Sequence, residues 1–229
     1  IQKQKYYGAT IIMHYGRGFD FVFIAEHFIK IKWTIKPTMQ EGTKIMEIKV
    51  SPHLTTRGKD TVRFIDSNNF LMMKLEDMPD TFGLKFEGKD DVLAKGFFPH
   101  MFNTRQHENY IGPMPDKSFW QPERMTKKKG DAFDAWYEVR KLYPWNHLQE
   151  LVDYCKLDVK ILQLACEKFV DIVYTKTGVD PFNYPTLPSA SMAIFRSKFV
   201  PEMTIASLAY DVAKDMFPLY AGGRTGGHA

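Results

Sequence analysis

The chain has 229 residues, of which 44% are hydrophobic and 14% aromatic, so it can bury the core of one large domain or two small ones. Its formal net charge of +4 permits a polyanionic partner without requiring one. No apolar run approaches the roughly 18 residues of a membrane span, and the first ten residues lack the apolar core of a signal peptide. The composition therefore predicts a globular protein without a membrane partner.

The cysteine content predicts a reducing environment. Cys155 and Cys166 lie in one predicted helix at a spacing of about 16 Å, which is too far for a disulfide. We therefore expect an intracellular location, with nucleus, cytoplasm and organelle left open.

The first half of the chain has the pattern of a mixed α/β protein. Residues 5–15 predict a strand, residues 20–30 a helix, and "KIMEIKV" and "TVRFIDS" two further strands on either side of a turn-rich segment. Gly16 and Gly18 allow a sharp turn after the first strand, and we expect them to let a ligand approach the backbone. Asp20 is then expected at the end of that strand, which is where α/β proteins tend to place reactive groups.

The proline-containing segment 96–130 predicts a long ordered loop with little regular structure. It ends in Lys127, Lys128 and Lys129. As a charge run, these lysines are typical of a solvated loop. The alternative is that they follow a nucleic-acid backbone together with Arg124 and the aromatic residues Phe119 and Trp120.

Two predicted helices follow, a short one over residues 131–143 and a long one. Asn146 is the expected N-cap of the long helix, Gln149 follows three positions on, and Gly178 is its expected end. Its predicted apolar stripe consists of Leu148, Leu151, Val152, Cys155, Val159, Leu162, Cys166, Phe169 and Val173. Tyr154 and Asp158 flank this stripe one turn apart and can face a cleft together. Taken alone, the pair is more simply a half-buried tyrosine beside a surface aspartate.

Several short blocks, taken in order, resemble a known family. "HYGRGFDFVFI", "IDSNNFL", "KGFFPHMFN", "YCKLDVKIL" and "YAGGRT" are similar to motifs of the protein-primed family B DNA polymerases of viruses, linear plasmids and Polinton transposons. The resemblance covers nearly the whole chain, and the long loop is closest to the Polinton and related viral branch. It implies an RNase H-like (DnaQ-like) exonuclease fold with a mixed sheet flanked by helices, incomplete at the N-terminus. Residues 1–178 would form the exonuclease-like domain, and residues 179–229 the linker toward a polymerase domain.

The resemblance also implies the chemistry of a 3′-5′ proofreading exonuclease. Asp20 in the second exonuclease motif and Asp158 in the third would hold Mg²⁺ or Mn²⁺. Tyr154 would orient the attacking water, and Lys95 would offset charge on the scissile phosphate.

Further positions match DNA-contacting motifs of the same family. Phe19 and Ser67 would contact the single-stranded 3′ end. Tyr220, Gly222 and Gly223 match a motif that touches the template strand. Apart from the resemblance, the glycines and Arg224 can form a phosphate-binding nest, and the alternative is a frayed C-terminal tail. A terminal priming protein is a further implied partner.

Four departures from the family pattern bear on activity. No Asp-x-Glu occurs anywhere in the chain, although this first exonuclease motif supplies two of the four expected carboxylates. Tyr15 replaces the family asparagine, and Asn68 replaces the leucine of the Ser-Leu motif. The palm motifs of the polymerase domain are absent, and the chain has no initiator methionine. We therefore expect either a fragment of a polymerase that is a poor nuclease alone, or a non-catalytic nucleic-acid-binding or scaffold subunit with a degenerate active site in a larger assembly.

Overall fold

The computed structural model describes residues 8–41, 44–52, 61–85 and 96–201, and their strands and helices form a mixed α/β structure. The strands are β1 Thr10–Met13, β2 Thr34–Glu41, β3 Lys44–Ser51, β4 Val62–Asp66, β5 Ile111–Gly112 and β6 Trp145–Asn146. The helices are α1 Asp20–Lys30, α2 Met78–Phe82, α3 Lys127–Arg140, α4 His147–Thr177 and α5 Leu187–Phe199.

The main sheet has four strands in the order β1-β4-β3-β2. β1 runs parallel to β4, with Ile12 opposite Ile65, whereas β4–β3 and β3–β2 are antiparallel. The predicted mixed sheet is thus confirmed, together with strands β3 and β4 and helix α1. The sequence interpretation missed β2, which contains Pro37. Proline is tolerated there because β2 is an edge strand, and the register shifts between Pro37 and Met39.

Two apolar clusters cover opposite faces of this sheet. Phe64 of β4 packs with Phe21 and Phe28 of α1, whereas the adjacent Ile65 packs with Ile161 of α4. Because successive side chains of a strand point to opposite faces, α1 and α4 lie on different sides of the sheet. The core is therefore built from three layers, helix, sheet and helix.

Residues 96–146 form a lobe with its own small core. Three aromatic residues, Trp120, Phe133 and Trp145, are buried together, and β5 pairs with β6. The predicted scarcity of regular structure holds up to residue 126, where short 3-10 helices predominate. The prediction of a lysine-rich loop was wrong, because Lys127–Lys129 form the first turn of α3. Thr126 has the extended backbone of an N-cap residue, and the three lysines that follow are good helix formers.

Helix α4 begins and ends where the sequence predicts. The Gln149 N–H donates to Asn146 Oδ1 at 3.2 Å, and Gly178 has a left-handed φ of 69°. The predicted stripe was wrong over the first half of the helix, where Leu148, Val152 and Val159 are exposed.

The buried face of α4 starts instead at His147, because this ring is fixed in the lobe. Trp145 Nε1 donates to His147 Nδ1 at 3.3 Å, and His147 Nε2 lies 3.2 Å from Asn103 Oδ1. The buried face then passes through Tyr154 and Asp158, both half-buried. The two predicted site residues are thus on the packed side of the helix.

The segment after α4 is tied to the sheet by Arg63. Its guanidinium donates to the carbonyl oxygens of Phe182 at 2.6 Å and Tyr184 at 2.7 Å, and its Nε donates to Glu47 at 3.1 Å. Phe182 is buried in the same cluster as Ile65. The segment just before helix α5 is therefore held against the core.

Both cysteines are free thiols, as predicted from their spacing. Among the described residues, no helix combines the length and apolarity needed to cross a membrane.

Candidate active site

Asp20 is at the start of a helix rather than at the end of a strand. β1 ends at Met13, and the β1–α1 loop (residues 14–19) reverses the chain before α1 begins at Asp20. The strand-end placement was therefore wrong, because the turn needs these intervening residues. A carboxylate in the first helical turn is favoured by the helix dipole. Asp20 is exposed, and Phe19 beside it is 74% exposed.

The two glycines of the loop have different roles. A Cβ on Gly16 would lie 2.7 Å from Met13 Cε and 3.2 Å from Phe21 Cε1, whereas nothing lies within 4 Å of a Cβ on Gly18. Gly16 is buried and permits close packing under the loop. The expectation that it opens the backbone to a ligand was wrong for Gly16, since only Gly18 faces open space.

Asp66 holds the β1–α1 loop and was missed by the sequence interpretation. It is fully buried at the end of β4. Its Oδ1 accepts the Tyr15 N–H at 3.0 Å and the Asn68 N–H at 2.9 Å, and its Oδ2 accepts the Arg17 N–H at 3.0 Å. The available signal was a carboxylate closing a buried strand, in "RFIDS", next to the strand that leads into the loop.

Tyr15 has a left-handed backbone, with φ of 59°. Asparagine is enriched several-fold in this region compared with most residues. Tyr15 therefore has a backbone conformation that asparagine, the residue expected here from the sequence resemblance, adopts more readily. The Asp66 bond to the Tyr15 N–H helps to maintain it.

Ser67 faces the same loop. Its side chain is fully buried, and its Oγ lies 2.9 Å from His14 Nδ1. DNA would reach this hydroxyl only after that contact opens. The proposed role of Ser67 in binding DNA stays a prediction.

Tyr154 and Asp158 project from one face of α4. The Tyr154 ring lies 5.1 Å from Phe98 and 5.7 Å from His100, measured between centroids, so two rings from the lobe restrict its orientation. Asp158 has one buried oxygen, Oδ1. Leu157, between them, belongs to the same apolar cluster as Ile12 of β1. The α4 turn that carries both candidates and the strand that leads to Asp20 therefore pack against the same apolar cluster.

The candidate metal ligands of the described residues are few. The described residues contain no group of three or more His, Cys, Asp or Glu side chains that could hold a metal ion. Mg²⁺ needs about six oxygen ligands and usually keeps several waters. Asp20 and Asp158 would supply only part of such a set.

Five predicted site residues lie outside the described residues. These are Lys95, Tyr220, Gly222, Gly223 and Arg224. Gly96 is the first described residue of its segment. A Cβ added at Gly96 would lie 3.9 Å from Cδ2 of the Tyr154 ring.

Tyr154 also lines a cavity of about 750 Å³ between the lobe and α2. Its lining includes Arg124, Lys128 and Lys129 of the lobe, and Asp77 and Asp80 at the start of α2.

The family model for DNA polymerase type B, organellar and viral, matches residues 1–226. The chain belongs to this family. The family level of the sequence resemblance is thereby confirmed, whereas the protein-primed and Polinton assignments stay predictions.

Three curated relatives of the chain are each described as a probable DNA polymerase. The protein from Neurospora intermedia is 28% identical over 226 residues, which cover 97% of this chain and 22% of that protein. The protein from Ascobolus immersus is 28% identical over 213 residues, covering 90% of this chain and 17% of that protein. The protein from Agaricus bitorquis is 24% identical over 195 residues, covering 83% and 22%.

The chain thus spans about a fifth of the length of these relatives. No solved structure matches it.

Proposed function

We propose that the chain is the 3′-5′ exonuclease region of a protein-primed type B DNA polymerase, with an RNase H-like fold. The observation that supports the proposal is that Ile12 of β1 and Leu157 of α4 pack against one apolar cluster. The loop before Asp20 and the turn with Tyr154 and Asp158 thus extend from the same core, in the order of the motifs in the resemblance.

Each side chain has a proposed task. Exposed Phe19 stacks on a base of the single-stranded 3′ end, a contact typically worth about 1–3 kcal/mol. Tyr154, restricted by Phe98 and His100, orients the attacking water. Asp20 and Asp158 supply two carboxylates toward Mg²⁺ or Mn²⁺, with further ligands from outside the described residues. The template strand and a terminal priming protein are proposed partners on the same resemblance.

The chain offers a matched test of the Phe19 assignment. Phe19 is 74% exposed and Phe199, at the end of α5, is 73% exposed. We expect Phe19→Ala to weaken binding of a fluorescent single-stranded oligonucleotide by about 5- to 150-fold, from the stacking energy above. Phe199→Ala is expected to bind normally. Equal effects of the two substitutions would contradict the assignment.

A second candidate is a non-catalytic nucleic-acid-binding or scaffold subunit of a larger assembly. The observation that favours it is that the described residues contain no group of three or more His, Cys, Asp or Glu side chains that could hold a metal ion.

Degradation of single-stranded DNA in Mg²⁺ separates the two candidates. The control for Asp158→Ala is Asp153→Ala, an exposed carboxylate of the same helix. Degradation by the wild-type chain that is lost only in Asp158→Ala supports the exonuclease. Phe19-dependent binding without degradation supports the binding subunit.

A further inference from the structure

We infer that the cavity between the lobe and α2 binds the phosphate backbone of single-stranded DNA, through Arg124 and Lys128. This inference rests on the proposed function, because it takes the strand toward Tyr154, which lines the same cavity. None of the family motifs identified in the sequence includes Arg124 or Lys128.

The cavity has the size of a ligand site. Its volume is about 750 Å³, within the range of about 300–1,000 Å³ that is common for such sites. Aromatic residues His100, Trp120 and Tyr154 contribute to its lining together with the basic side chains of the lobe.

Arg124 and Lys128 are available for an external anion. Lys129 pairs with Glu76, and Lys74 lies 3.7 Å from the same carboxylate. In the described part of the chain, by contrast, the side chains of Arg124 and Lys128 have no hydrogen bond or ion pair. Two of the basic side chains that line the cavity therefore have no ion-pair partner among the described residues.

The positive charge at the start of α3 is unfavourable without a bound anion. The first turn of α3 contains three lysines and no acidic residue, and the Thr126 side chain does not cap it. Positive side chains at this end of a helix are disfavoured by the dipole. Trp120, only 7% exposed, has an Nε1 without an acceptor among the described residues. A bound anion would offset the charge repulsion at this end of α3.

The aromatic residues of the cavity favour a single strand over a duplex. Asp77 and Asp80 also line the cavity, so the phosphates are expected to lie on the side of Arg124 and Lys128. His100 and Tyr154 offer aromatic groups for unpaired bases, which duplex DNA keeps stacked internally.

The test compares two double variants of the full chain in EDTA, so that metal binding does not enter. Arg124→Ala/Lys128→Ala removes the proposed phosphate contacts. The control Lys168→Ala/Lys176→Ala removes two exposed α4 lysines that do not line the cavity. Binding of a fluorescein-labelled oligothymidylate is followed by anisotropy over a salt series, and urea unfolding verifies that both variants are folded.

We expect only the cavity variant to bind more weakly. The negative slope of the log association constant against log salt should become shallower by about 1.4, the value for two lost phosphate contacts. Equal effects of both variants, no effect of the cavity variant, or equally tight binding of duplex DNA would overturn the inference. If the cavity variant loses binding whereas Phe19→Ala and Asp158→Ala change neither binding nor degradation, the cavity site stands and the exonuclease assignment fails.

Discussion

Asp66 provides the sharpest test of how the candidate site is held together. Its buried carboxylate accepts three backbone N–H groups, two from the β1–α1 loop and one from the turn after β4. Asp66→Ala leaves all three donors without this acceptor. We therefore expect the substitution to destabilise the protein and to release the loop before Asp20.

The expected loss in the free energy of unfolding follows from the exposure of the three donors. A hydrogen bond to a charged group contributes about 1.5–3 kcal/mol. The Asn68 bond is buried and loses its full value, whereas the loop amides of Tyr15 and Arg17 are partly accessible and regain water. The sum is about 3–5 kcal/mol, a large share of the roughly 5–15 kcal/mol that stabilises a typical domain.

Urea unfolding measures this loss, with Asp131→Ala on the exposed surface of α3 as the control. The control should stay within about 0.5 kcal/mol of the wild type. Trypsin gives a local readout, because the loop contains Arg17, and Asp66→Ala should be cut there faster. A loss below about 1 kcal/mol together with unchanged cleavage would refute the view that Asp66 anchors the loop.

Three further predictions concern packing and protonation. Gly16→Ala should lower the free energy of unfolding by about 1–3 kcal/mol because its Cβ meets Met13 and Phe21, while Gly18→Ala should be nearly neutral. Burial raises the pKa of the Cys166 thiol to about 12, so a thiol reagent at pH 8 should label exposed Cys155 only, as mass spectrometry would show. Burial, with a smaller contribution from His107, lowers the pKa of His147, so the unfolded state binds this proton first as the pH falls. Stability should therefore drop below about pH 6.5, and less so in His147→Gln.

Each of these predictions has a contrary outcome. Equal destabilisation by the two glycine substitutions would mean that the loop is not packed as described. Rapid native labelling of Cys166 would show that this thiol is accessible. An unchanged pH dependence in His147→Gln would show that another group controls acid stability.

Local patterns identified much of the fold. The strands β3 and β4, helix α1, the Asn146 cap and the Gly178 end of α4 follow from β-branched alternation, capping chemistry and glycine in the left-handed region. The family level was accessible too, because short motifs keep their order along the chain.

Tertiary contacts decided the features that depend on distant residues. Leu148 and Val152 fit the helical period of an apolar face, but the fixing of His147 by Trp145 and Asn103 selects a neighbouring face for burial. Periodicity describes which residues share a face, and only the partners across the interface determine which face is covered.

The candidate site also divides into features determined by the sequence and features determined by tertiary contacts. The sequence alone determined the identity and order of Asp20, Tyr154 and Asp158, since these depend on residue type and spacing. Only the folded structure revealed Asp66, whose three hydrogen bonds reach residues up to 51 positions away. It also revealed that Gly16 is packed rather than open, because that depends on Met13 and Phe21 folding back beneath the loop.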